Sequence, residues 1–236
     1  RDEGYVAVME LRPRDGDDPI LRLALRSDPP SVPMLRQRDR LGQLLAELDA
    51  EQWASPSRCE GWRVQDVVAH LVSTNQFWAF SIASARGGTP TEFLTTFDPV
   101  ETPKELVDGK RSLSASETLA AYLESVDAMR AAIAGIADDE WALVGEVPVG
   151  HVSLTLVVLH ALWDAWINER DVAVPLGLEA VDEPDEVLGC LLYAAALSPG
   201  FAVMYDTGQT GALEVRATRP DVRFVVEAET SVVIHD

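Results

Sequence analysis

The chain has 236 residues, 47% of them hydrophobic, which is enough to build one large domain or two small ones around a real core and excludes global disorder. Its formal net charge is -20, from 39 acidic residues against 19 basic ones. That balance argues against a nucleic acid as partner, because phosphate backbones are held by basic patches.

From the N-terminus, Tyr5 to Arg12 and Ile20 to Arg26 alternate apolar and polar residues around the turn-rich run PRDGDDP, which predicts a β-hairpin. SDPPSVP, Ser27 to Pro33, breaks the chain and reads as a linker. Leu41, Leu44, Leu45 and Leu48 then carry the i, i+3, i+4, i+7 spacing of an amphipathic helix. A second helix is predicted from about Val64 to Ala85, with Val64, Val67, Val68, Leu71, Trp78 and Ile82 on one face. The stretch 88–112 reads as a long loop. A capping box at Ser114 to Glu117 opens a third helix, running to about Ile136. ADDEWALVGEVPVGH is expected to be a loop, followed by a fourth helix from about Ser153 to Val172 and a fifth from about Glu183 to Leu197. Val-rich strands over 213–217, 222–228 and 231–234 close the chain.

No run reaches the ~18 apolar residues that a membrane span needs, so no membrane partner is expected. Cys59 and Cys190 are too few for a disulfide scaffold or a Cys-rich zinc site. Together with the lack of a visible signal peptide, they suggest a cytoplasmic protein with reduced thiols.

Chemistry concentrates on the fourth helix. At roughly 100° per residue, His160, Asp164, Asn168 and Asp171 fall within one arc, opposite Leu156, Leu159, Trp163 and Ile167. Spacing alone leaves two readings open: a solvated edge, or a face presenting imidazole and oxygen donors to a divalent metal. His70, at the flank of the second helix's apolar stripe, is either a hydrogen-bonded boundary residue or part of a site if the two helices face each other. His151 reads as a cap-region residue of the fourth helix. P-loop, GxGxxG, GxSxG and HExxH signatures are absent from the sequence.

Two stretches carry a resemblance. LLAELDAEQWASPSRCEGWRVQDVVAHL, Leu44 to Leu71, and WDAWINERDVAVPLG, Trp163 to Gly177, are similar to motifs of the mycothiol-dependent maleylpyruvate isomerase family, within the DinB-like superfamily. The likeness covers roughly Leu41 to Leu197. It implies a mainly α fold: a DinB-like antiparallel four-helix bundle, here with an additional helix and a small β element formed by the chain ends. It also implies a divalent metal, zinc above all, with His70 at the first ligand position and Asp164 at the acidic one. Asn168 stands where the family has a second His, and His160 is the alternative donor. The implied chemistry uses a low-molecular-weight thiol such as mycothiol, activated for transfer to, or isomerisation of, a small electrophile.

The resulting expectation is three segments: residues 1–32 as hairpin and linker packing with the C-terminal strands, 33–200 as the helical bundle, and 201–236 as strands opening a small α/β domain. The expected partner is a small molecule, with homodimerisation open. The rival reading is a metal-free binding or accessory protein that keeps the bundle without catalysis.

Overall fold

The computed structural model describes residues 11–24 and 29–236. A short strand β1 (Leu21–Leu23) leads to α1 (Ser31–Glu47) and the one-turn α2 (Ala50–Ala54). Then come α3 (Val64–Arg86), α4 (Glu101–Asp108) and α5 (Ala115–Ile133). A hairpin of β2 (Val144–Val147) and β3 (Gly150–Ser153) precedes α6 (Leu154–Ala173) and α7 (Pro184–Met204). The chain closes with β4 (Gly211–Thr218), β5 (Asp221–Ala228) and β6 (Val232–His235).

The fold is mainly helical, and local chemistry explains the helix starts. Asp49 and Gln52 form a reciprocal capping box at α2, and Ser114 and Glu117 form one at α5. Pro184 occupies the first turn of α7, where a missing N–H leaves nothing unpaired. The same logic corrects the linker reading: α1 starts at Ser31, with Pro33 inside its first turn. The predicted loop at 88–112 contains α4 and a short 3-10 turn at Leu94–Thr96. The predicted loop before the fourth helix is the β2–β3 hairpin, so His151 lies on a strand and not at a helix cap.

Helix α3 packs against α5 and α6, and α1 packs against the same two helices. A fully buried guanidinium ties them together. Arg38 of α1 donates to Asn75 Oδ1 of α3 (2.9 Å) and to the Ala161 carbonyl of α6 (3.0 Å). Asn75 Nδ2 donates to Ser125 Oγ of α5 (3.1 Å), and Tyr122 OH of α5 donates back to the Arg38 carbonyl (3.1 Å). Each partner is buried and each bond is satisfied, which is the condition for a polar group to be tolerated inside a core. A second ionic cluster joins α1 to α6 and α7, where Arg40 bridges the buried carboxylates of Glu169 and Glu186.

The four-stranded sheet has the order β1-β6-β5-β4. Strand β1 runs parallel to β6, pairing Leu21 with Val232, and the other neighbours are antiparallel. Of the predicted N-terminal hairpin, residues 5–10 lie outside the described residues, while the second strand is β1 and pairs with β6. The run Val187 to Met204 carries no charge, so α7 is long and apolar enough by composition to cross a membrane, contrary to the expectation from sequence. In the fold it packs on α6, β5 and β6.

Candidate functional site

A cavity of about 300 Å³ opens between α3, α6 and the strap of residues 91–106. Helix α3 contributes His70, Ser73, Thr74, Phe77 and Trp78, the spacing of a single helical face. Helix α6 contributes His160 and Asp164 from adjacent turns. The strap supplies Phe93, Leu94, Phe97 and Leu106, so most of the wall is apolar, with hydroxyls from Thr96 and Thr102.

The strap is held by a buried carboxylate. Glu146 on β2 accepts hydrogen bonds from Thr91 Oγ1 (2.7 Å) and from the backbone N–H groups of Phe93 (3.0 Å) and Leu94 (2.6 Å). His151 on β3 supplies a second tie. Its Nδ1 accepts from the Gly16 N–H (2.9 Å), which leaves the proton on Nε2 for donation to the Thr91 carbonyl (2.9 Å). Next to it, Gly150 has φ +123°, and a Cβ there would fall 2.2 Å from the Arg14 carbonyl oxygen. Only glycine lets the 14–16 segment approach this closely.

His70 Nε2 lies 3.7 Å from Asp164 Oδ1, an ion-pair spacing. The other face of the pair is packed: the Trp62 ring sits 5.5 Å from the His70 ring. Burial works to raise the Asp164 carboxyl, but His70, His160 and Arg38 outweigh it and hold the group below the ordinary carboxylate value. Asp164 Oδ2 and Trp78 Nε1 are buried with no hydrogen-bond partner.

His160 lies among aromatic rings, 4.5 Å from Trp78, 4.6 Å from Tyr193 and 5.7 Å from Trp163 by ring centres. Burial pushes its pKa down to about 4, so the imidazole is neutral at neutral pH. Its Nδ1 is bonded to Tyr193 OH, and burial holds that phenol protonated. Tyr193 OH has no other acceptor among the described residues, so it donates to Nδ1, which leaves Nε2–H as the ring's remaining donor.

The four residues singled out on sequence thus divide. His70 and Asp164 come together. Asn168 sits behind Asp164 and donates its amide to the Asp164 carbonyl (2.8 Å) and to Oδ1 (3.2 Å). His160 shares the cavity but is turned to Tyr193. Asp171, the end of the predicted stripe, holds the loop before α3: its carbonyl accepts from Arg58 N (3.1 Å) and its carboxylate from Cys59 Sγ (3.5 Å).

A catalytic zinc takes three protein donors and keeps a fourth position open. Here Asn168 turns its N–H groups, which have no lone pair to give, to Asp164, and His160 carries its proton on Nε2 while Nδ1 accepts from Tyr193. Among the described residues no three His, Cys, Asp or Glu side chains gather as a ligand set. The donors present therefore do not fit the zinc that the resemblance implies.

Sequence reasoning missed Glu146, Tyr193 and Arg38. Arg38 had a signal: it falls on the stripe of Leu41 and Leu45, where a basic residue interrupts an apolar face. Glu146 and Tyr193 act on partners 52 or more and 33 residues away, and no local pattern marks them.

The family model for the mycothiol maleylpyruvate isomerase N-terminal domain matches residues 34–173. Two solved structures share the fold. The mycothiol-dependent maleylpyruvate isomerase matches with a TM-score of 0.60 at 17% identity, covering 86% of this chain and 82% of the other. A mutant form of that enzyme matches with a TM-score of 0.61 at 16% identity, over the same shares. No curated protein sequence matches the chain.

Proposed function

The chain belongs to the mycothiol maleylpyruvate isomerase family, defined by its N-terminal domain, and from that premise we propose that it catalyses a mycothiol-dependent isomerisation or transfer on a small electrophile. The observation that carries the reading is the His70–Asp164 pair in the wall of a mostly apolar cavity. The packing of α1, α3, α5 and α6 on one another supports the four-helix bundle of the same family.

In this reading the His70 imidazole takes the thiol proton and the Asp164 carboxylate stabilises the imidazolium that results. The thiolate sulfur adds to one carbon of a conjugated double bond, and the displaced electron pair moves to the carbonyl oxygen as an enolate. His160 Nε2–H is the neutral donor available to that oxygen. Rotation about the new single bond and collapse of the enolate expel the thiolate and leave the trans alkene. The proton returns from His70 to sulfur, so thiol and enzyme are regenerated. No step is routed through a metal, because the donor set does not fit one.

The test is cis-to-trans isomerisation of conjugated carbonyl compounds, followed spectroscopically with and without mycothiol. Turnover should require the thiol, and His70→Ala should lower kcat by about a hundredfold or more, the contribution of a general base. Failure of every conjugated carbonyl, maleylpyruvate included, to turn over would leave the non-catalytic binding protein as the reading.

A further inference from the structure

The cavity lining carries a statement about charge. None of its described side chains is a lysine or an arginine, while Asp164 is one of them. Lys110, which is not among the lining residues, has its ammonium spent on the wall: its Nζ donates to the Oγ of lining Ser73 at 2.9 Å. The buried guanidinium of Arg38 faces Asn75, Met34 and Ala161. A carboxylate entering this space would be desolvated beside a like charge, with no lysine or arginine side chain in the lining to receive it, and His70 is already paired with Asp164.

The entrance points the same way. Phe93 is 56% exposed and Leu106 44% exposed, although both line the cavity. Phe80, 52% exposed, stacks on Phe93 with ring centres 5.5 Å apart. Apolar side chains left open at a cavity mouth mark a ligand-binding surface. Inside, Trp78 is 4% exposed and its Nε1–H has no partner. A buried N–H without a partner is satisfied by an incoming acceptor such as a carbonyl oxygen.

We infer that this cavity selects an uncharged, mostly apolar α,β-unsaturated carbonyl compound and discriminates against carboxylates. The aliphatic or aromatic body lies between Phe77, Phe97 and Leu106, and the carbonyl oxygen accepts from Trp78. This rests on the thiol-addition reading for the role of the double bond, while the selectivity itself follows from the lining.

The experiment compares methyl cinnamate with cinnamate, which differ mainly by one charge, by tryptophan fluorescence and calorimetry on the full chain at pH 7.5. The ester should bind at least tenfold more tightly than the acid. Asp164→Asn should shrink that ratio, and Leu106→Arg, at the exposed lip, should raise cinnamate affinity at least tenfold. Thr74→Trp should fill the space and abolish ester binding while the circular dichroism spectrum is retained. Equal or tighter binding of cinnamate, no binding of either probe, or a ratio indifferent to Asp164→Asn would overturn the inference. Mycothiol-dependent turnover is read separately. Ester selectivity without turnover would defeat the proposed function and leave the inference standing, and turnover of a dicarboxylate with a preference for cinnamate would do the reverse.

Discussion

The protonation of His160 gives a quantitative handle on the cavity wall. Its pKa is about 4 in the folded protein against 6.5 for an ordinary histidine, because burial disfavours the cation more than Asp164 favours it. Well above pH 6.5 the ring is neutral in both folded and unfolded chains and contributes no pH dependence. Between 6.5 and 4 the unfolded chain takes up the proton and the folded one does not, so stability falls as pH falls. Linkage puts this loss at about 2 kcal/mol between pH 7 and pH 5, approaching roughly 3 kcal/mol below pH 4. Urea unfolding of the wild type and of His160→Gln at both pH values isolates the effect, because other titrating groups are common to the two proteins. The wild type should lose about 2 kcal/mol more than the variant on going to pH 5. Equal losses would refute the account of a desolvated, neutral imidazole.

Three further outcomes follow from the buried polar groups. Glu146→Ala removes the acceptor of three strap hydrogen bonds and should cost about 3 kcal/mol, with the amides of Phe93 and Leu94 losing hydrogen-exchange protection ahead of the rest of the chain. Arg38→Ala opens a cavity and strands the acceptors of Asn75 and Ala161, so denaturant unfolding should show a loss of about 3 to 5 kcal/mol. Burial pushes the Cys59 thiol up to about 11, helped by Asp171, and the Cys190 thiol up to about 12. Both should react with a disulfide reagent at pH 7.5 about a hundredfold more slowly than free cysteine, and at the free rate once the chain is denatured.

The parts of the fold readable in sequence were those with local causes. The start of α3 and the Ser114 box of α5 are written in neighbouring residues, and so are the β4 and β5 strands. The start of α1 was hidden because Pro30 and Pro33 look like a break, although a helix's first turn accepts proline. The β2–β3 hairpin was hidden because Pro148 and Gly150 read as loop, and what makes it a hairpin includes the approach of Arg14 from far along the chain. The candidate site was half legible. The approach of His70 to Asp164 could be anticipated because each lies on a regular helix and the family motifs fall on them. That Asn168 and His160 turn to other partners depends on the Asp164 carbonyl and on Tyr193, which periodicity cannot reveal.

The strap's second tie has a practical consequence for where this chain can be cut. The family match begins at residue 34, and a fragment trimmed there would keep all but the first turn of α1 and every later helix. It would also discard Gly16 and Arg14, the partners of His151 Nδ1 and of the backbone beside Gly150. His151 would then be free to change tautomer, and its hold on Thr91 would weaken. The homology boundary therefore runs through the support of the cavity, and a truncated protein should hold the strap less firmly through the loss of a segment that does not line the cavity.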